Sequence, residues 1–241
     1  MKKILACFLT VCMMITVCGC GKSNPAEPSD SHTEQAVPTG NSGTEPAETE
    51  SAEKPASDGK ITLGDVLNHP VTPAEELNYS ENADGDIVIM AYRGTDDIVV
   101  IPDTIDGKAV VSVEKYAFGT ASDVKAIRFA DSIRFLDESS CAMNKNLEIV
   151  VCGSGMETLG ISAFQGCANL HTAVLNDGLK KIDNYVFSTC TSLKEVEIPD
   201  SVTEISGTAA LGQQKEFTFV GTAGSAAEEA AAANGITFRA K

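Results

Sequence analysis

Residues Ala163–Leu175 read AFQGCANLHTAVL and residues Val186–Pro199 read VFSTCTSLKEVEIP, and the second segment starts 23 positions beyond the first. The same step runs outward on both sides. Val113, Leu136, Leu159, Ile182 and Ile205 are each separated by 23 residues. Phe118, Cys141, Phe164 and Phe187 make a second column, and Val124, Leu147, Leu170 and Leu193 a third. Ile127, Val150, Ala173 and Val196 follow, then Phe129, Cys152, Leu175 and Ile198. A fixed period of this length marks a stacked-repeat architecture. One repeat offers about six apolar side chains for burial, worth roughly 1.5–3 kcal/mol each. Ordering its backbone costs on the order of 1–2 kcal/mol per residue. No copy folds alone, so successive copies must share one core.

Within a copy, Leu193, Val196 and Ile198 alternate with polar residues, as a strand half buried against a core does. Stacked copies set these strands side by side as a parallel sheet, and Pro199-Asp200-Ser201 turns the chain out of it. The Ala-Phe segment is expected to form the opposite wall as a short helical turn or bend. Phe118, Phe164 and Phe187 would be its spine, thinned at Cys141. Copy two carries Cys141 and Cys152 in core columns, so it is predicted to be the weakest interior seam.

These segments resemble the leucine-rich repeats of the BspA-like surface proteins, whose unit reads roughly AFxxCxxLxxIxLPxxLxxI. The lead-in Asp84–Val113, DGDIVIMAYRGTDDIVVIPDTIDGKAVVSV, and the tail Gly221–Phe238, GTAGSAAEEAAAANGITF, resemble the segments that open and close such arrays. The resemblance implies a leucine-rich repeat solenoid, a right-handed β-rich superhelix with one parallel sheet face and short helical turns opposite. Its ends would be closed by an N-terminal β segment and a C-terminal alanine-rich helix. Copy two departs at Ser140-Cys141, and copy five at Ala209-Ala210, its strand (Phe217, Phe219) expected about two residues early. Strands are expected at Ile87–Met90 and Ile98–Ile101, with turns at Arg93-Gly94 and Asp106-Gly107. Ser225 with Glu228 has capping-box spacing for the tail helix, Asn234-Gly235 would end it, and Ile236–Phe238 adds a strand. Pro73–Asn78 suggests one short helix.

The N-terminus has Lys2 and Lys3, an apolar stretch Ile4–Val17, then Val17-Cys18-Gly19-Cys20. Positive residues, a short apolar core and a small residue before a cleavage point read as a secretory signal. Ending on Gly19-Cys20, it resembles a bacterial lipoprotein signal. The resemblance implies cleavage after Gly19 and acylation of Cys20, with Cys18 as the competing acceptor and acyl chains as the membrane attachment. Residues 21–60 are rich in Pro, Ser, Thr, Gly, Ala and Glu, and eight acids face three lysines there. Such a composition cannot build a core, so a tether or a glycosylated stalk is expected. The chain thus divides into signal (1–19), lipidated cysteine and linker (20–60), N-terminal segment and β cap (61–112), repeats (113–220) and C-terminal cap (221–241).

The formal net charge is −16, and loss of Lys2 and Lys3 with the signal makes it −18. That opposes nucleic acid, which is gripped through lysine and arginine. Cys141, Cys152, Cys167 and Cys190 all sit in repeat columns, as small buried hydrophobes do. Cys167 and Cys190 lie one coil apart, so a disulfide between them is the alternative. No closely paired cysteine and histidine ligands for zinc appear, and neither a nucleophile elbow nor a phosphate loop. No cofactor, metal or catalytic residue is therefore assigned. The resemblance to the BspA-like surface proteins implies non-catalytic, adhesion-type binding of a protein or surface macromolecule. A solute- or glycan-binding lipoprotein and a cell-wall spacer are the alternatives, the glycan reading weakened by the absence of Trp. Side chains between the buried strand positions should face solvent, which brings Ile149, Val151, His171, Thr172 and Val174 together as a candidate docking strip, flanked by charged residues at both ends.

Overall fold

The computed structural model describes residues 60–119, 123–210 and 216–241. The signal, Cys20 and the linker fall outside the described residues. The described chain opens with helix α1 (Leu63–Asn68) and a 3₁₀ turn (Ala74–Glu76). Five strands follow: β1 (Leu77–Glu81), β2 (Ile87–Tyr92), β3 (Ile98–Val100), β4 (Thr104–Ile105) and β5 (Lys108–Val113). Each repeat then adds a strand on the sheet face and a shorter one on a second wall. These are β6 (Ala126–Arg128) with β7 (Phe135–Leu136), β8 (Ile149–Val151) with β9 (Thr158–Leu159), β10 (Thr172–Val174) with β11 (Lys181–Ile182), and β12 (Glu195–Glu197) with β13 (Glu204–Ile205). Strand β14 (Thr218–Gly221), helix α2 (Ala226–Asn234) and β15 (Thr237–Ala240) close the array. This is the expected solenoid, with a β segment at one end and a small helical cap at the other.

The 23-residue step is the hydrogen-bond register itself. Val113 pairs with Leu136, Leu136 with Leu159, Leu159 with Ile182, and Ile182 with Ile205, all parallel. Strands β6 and β8 pair Ile127 with Val150, and β8 pairs Val150 with Ala173 of β10. Copy five keeps the step: Val196 pairs with Phe219, so its strand is in register rather than two residues early. Phe217 belongs one position before β14 and packs edge-on to Phe219 at 5.4 Å.

The Ala-Phe wall is a set of turns built on left-handed residues. Tyr116, Ser139, Ser162 and Tyr185 have φ of 62°, 59°, 59° and 61°, and Met143, Gly166 and Thr189 repeat the feature four residues later in their coils. Non-glycine residues seldom take this conformation. Here ladder bonds hold it, among them Cys141 N–H to Ala163 O at 2.9 Å and Phe164 N–H to Val186 O at 3.1 Å. On the facing turns the coils approach so closely that a Cβ on Gly155 or Gly178 would lie 2.1 or 2.3 Å from the preceding coil's carbonyl oxygen.

Copy two does not open. Phe129 of copy one reaches across it to Phe164 of copy three, ring centroids 6.3 Å apart, and Phe164 stacks on Phe187 at 6.1 Å. The small side chains of Cys141 and Cys152, both fully buried, leave room for that ring. The interruption lies one copy further on. Strands β3, β6, β8 and β10 form one sheet, while β12, β14 and β15 form another. Ala173, the smallest side chain in its column, sits at this break, and Thr172 to Leu175 are only half buried.

At the ends, Asp106 and Gly107 both have positive φ and join β4 to β5 as a two-residue hairpin. Gly235 ends α2 in the left-handed region, as expected. The capping box does not form. Ser225 N–H donates to Thr222 O instead, so Glu228 reaches back one residue further and accepts from Gly224 N–H at 2.6 Å. Likewise Pro73–Asn78 is a 3₁₀ turn running into β1 rather than a helix.

Hydrogen exchange should therefore be fastest, among the sheet-face strands, at the facing edges of β10 and β12. Native-state exchange checks this, and greater protection at Ala173 than at Val150 would contradict it.

Candidate functional site

The sheet face divides into a covered part and an open part. Over the covered part lies α1. Its start is fixed by a capping box: Asp65 N–H donates to Thr62 Oγ1 at 3.2 Å, and Thr62 N–H donates to the Asp65 carboxylate at 2.8 Å. Its last turn is met by Arg128, whose guanidinium donates to Leu67 O at 3.0 Å. Beyond it, Thr72 clips the segment to the sheet edge, its N–H donating to Val100 O and its hydroxyl accepting from Val100 N–H.

Ile61 and Val66 from this segment pack with Ile98, Val100, Ala126, Ile149 and Val151 as a second core cluster, separate from the solenoid interior. Ile149 is 1% exposed and Val151 7% exposed. These two residues do point away from the main core, as strand alternation requires, but α1 covers them. They are not part of an exposed docking strip. Sequence reading missed the cover because Thr62-Leu63-Gly64-Asp65 was not taken as a helix start, although the capping-box spacing is present.

His171, Thr172 and Val174 remain accessible. They line a groove of about 360 Å³ with Ala173, Leu175, Asp177, Glu195, Glu197, Pro199 and Lys241. Val174 also touches the cluster beneath α1, so it joins the covered half to the open half. The His171 ring sits 2.9 Å from Thr172 Oγ1 and 3.8 Å from a Glu148 carboxylate oxygen. On the far side, Arg239 pairs with Glu195 at 2.7 Å, and Lys241 with Glu197 at 3.0 Å and Asp200 at 3.9 Å. Glu195 and Glu197 stand exposed on one face of β12, with Val196 buried between them. Lys241 was missed because only the C-terminal cap's fold brings it there.

The remaining candidates for chemistry are buried. Cys141, Cys152, Cys167 and Cys190 are free thiols in the core, so Cys167 and Cys190 form no disulfide. Cys167 donates to Cys141 O at 3.1 Å and Cys190 to Phe164 O at 3.0 Å. They share a column with Asn144, which donates to Val124 O and accepts from Leu147 N–H. The column thus satisfies turn groups of neighbouring coils. Burial pushes the Cys152 and Cys167 thiols from an ordinary value of 9.0 up to about 12, and raises Cys141 and Cys190 as well. Among the described residues, no group of three His, Cys, Asp or Glu is placed to hold a metal ion, and no helix is long and apolar enough to cross a membrane.

Residues 99–215 match the BspA type leucine-rich repeat region, in six copies. Among solved structures, a leucine-rich repeat protein of T. pallidum is 30% identical, with a TM-score of 0.58, over 63% of this chain and 71% of that one. A Bacteroides ovatus leucine-rich repeat protein is 24% identical (TM-score 0.47) over 59% of this chain and 37% of that one. A leucine-rich cell surface protein of Faecalibacterium prausnitzii is 15% identical (TM-score 0.42) over 63% of this chain and 54% of that one. No curated protein matches the chain.

Two outcomes are expected from this geometry. Val66→Asp should undock α1, because a carboxylate cannot remain in a fully buried apolar site. Exchange should then rise at residues 63–68 and at Val100 while β9 and β11 keep their protection; unchanged exchange at Val100 would show that Thr72 alone holds the segment. The fold favours the neutral thiols, so their contribution is complete below pH 9.0 and is lost as pH climbs toward 12. Alkaline unfolding monitored by circular dichroism should accordingly shift to higher pH in a Cys152→Ala, Cys167→Ala variant, relative to its own neutral-pH stability. Periodicity, register and relationship agree: the chain belongs to the BspA-type leucine-rich repeat proteins.

Proposed function

We propose that this protein is a lipid-anchored, non-catalytic docking module on the outer side of the membrane, binding a protein or surface macromolecule through the open half of its sheet face. The groove bounded by His171, Thr172, Val174, Glu195 and Glu197 carries the reading. It is an accessible concavity beside the part of the sheet face that α1 covers, and solenoids commonly bind along their strand face. The family and the cell-surface description of the F. prausnitzii protein support an interaction role at a surface. Lys2, Lys3, the apolar stretch and Gly19-Cys20 support the anchor, and the acidic linker supports a tether holding the solenoid away from the lipid. Fold alone does not dictate function, so the groove and not the solenoid names the site.

Cys20→Ala should release the protein from the membrane fraction or leave the precursor uncleaved. Membrane retention with normal processing would refute the anchor. A photoreactive side chain at Thr172 should give a discrete macromolecular adduct on intact cells. The same group at Lys180, on another wall, should not. Adducts from Lys180 alone would place the docking surface elsewhere.

A further inference from the structure

At the groove two sheet edges face each other unjoined. Thr172 N–H donates to Glu148 O, and Cys152 N–H donates to Val174 O, so Thr172 and Val174 direct their backbone groups toward β8. In a parallel strand alternate residues bond to opposite neighbours. Ala173 therefore directs its N–H and C=O toward β12, with His171 C=O and Leu175 N–H beside it. On the other side, Lys194 O accepts from Thr218 N–H and Ile198 N–H donates to Val220 O. Glu195 and Glu197 thus direct theirs back toward β10. Among the described residues no backbone hydrogen bond joins β10 to β12.

On their other walls these two coils stay joined. Strand β11 pairs with β9 and β13, Phe164 N–H donates to Val186 O, and Ser192 N–H donates to Ala168 O. The seam is a wedge, closed at its back and open on the sheet face. Half-buried Ala173 and Leu175 belong to the copy at its edge. Its rim is acidic: Asp177, Glu195 and Glu197 line it against one lysine, Lys241, with Glu148 and Asp200 close by. Two cations already lie against these carboxylates, Arg239 on Glu195 and Lys241 on Glu197 and Asp200.

We propose that this seam takes up an extended polypeptide segment of alternating basic and apolar residues from a partner protein, which adds as a strand to the facing edges of β10 and β12. The inference rests on the groove being the docking site. Two sheet edges are a ready template for an incoming strand. Alternation places apolar side chains over Ala173 and Leu175 and basic ones on the acidic rim. Adjacent strands sit roughly 4.8 Å apart, so the wedge widens about its closed back as the segment enters. The segment supplies the donors and acceptors that β10 and β12 do not give each other, while its cations take the places of Arg239 at Glu195 and Lys241 at Glu197.

The test titrates the full mature chain with fluorescent short peptides of alternating lysine and valine. The expected affinity is micromolar, with new exchange protection at the amides of Ala173, Leu175, Glu195 and Glu197. N-methylation of every second peptide residue should weaken binding about tenfold or more, since each lost backbone bond removes about a factor of ten at most. An alternating glutamate–valine peptide should not bind, and Glu195→Gln, Glu197→Gln should weaken the lysine peptide severalfold. Equal binding of the N-methylated peptide, or protection elsewhere, would overturn strand addition. An adduct at Thr172 on cells combined with no lysine-peptide binding would defeat strand addition and leave the docking reading standing; no adduct at Thr172 would defeat both.

Discussion

Each coil of this protein is held by the one before and the one after it, and by very little within itself. The constraint is the parallel register that places Val113, Leu136, Leu159, Ile182 and Ile205 in one unbroken ladder. Everything else follows from keeping it. The left-handed residues at Tyr116, Ser139, Ser162 and Tyr185 let the chain turn at the same point in every coil. Glycine at 155 and 178 lets turns approach to carbonyl contact. Buried Asn144, Cys167 and Cys190 satisfy turn groups that water cannot reach. A side chain is thus judged by what it does to its neighbours one period away, as expected for a quasi-one-dimensional core.

That dependence explains why packing defects do not act where they first appear. Copy two carries cysteines in two core columns, yet its seam stays closed because Phe129 spans it to meet Phe164. An aromatic contact of this kind adds roughly 0.5–1.5 kcal/mol beyond burial. Between copies three and four Phe164 stacks on Phe187 on the Ala-Phe wall, and the β10–β12 seam of the sheet face stays unpaired all the same. There the column residue is Ala173, and the neighbouring copy presents Glu195 and Glu197 rather than an apolar face. Those carboxylates turn instead to Arg239 of the closing strand and to Lys241 just after it. Pairing across the end of the array stands in for pairing along it.

The solenoid and the register of its first four copies were legible in the sequence because they rest on periodicity, which survives single substitutions. Two kinds of feature were not. Helix α1 carries no repeat signal, and its apolar content, Ile61, Leu63 and Val66, is too short a run to declare which surface it covers. Only the fold shows it lying on Ile149 and Val151 and removing them from the accessible strip. The groove was half legible. His171, Thr172 and Val174 follow from strand alternation, whereas Lys241 arrives through α2 and β15, elements whose placement no local pattern encodes.

The division of the sheet face has a functional consequence. A solenoid that presented Ile98, Val100, Ile149 and Val151 together would expose an apolar stripe broad enough to associate without discrimination. By folding α1 across that stripe, the chain leaves the seam open, where backbone edges and acidic side chains would set the terms of the proposed docking. Hydrogen-bonding edges demand an extended partner, and carboxylates reject an acidic one. Specificity gained by excluding wrong partners needs both the attractive site and the covered alternative. If the groove is the docking site as proposed, the helix that closes one half of the face is as much a part of the recognition surface as the groove it leaves open.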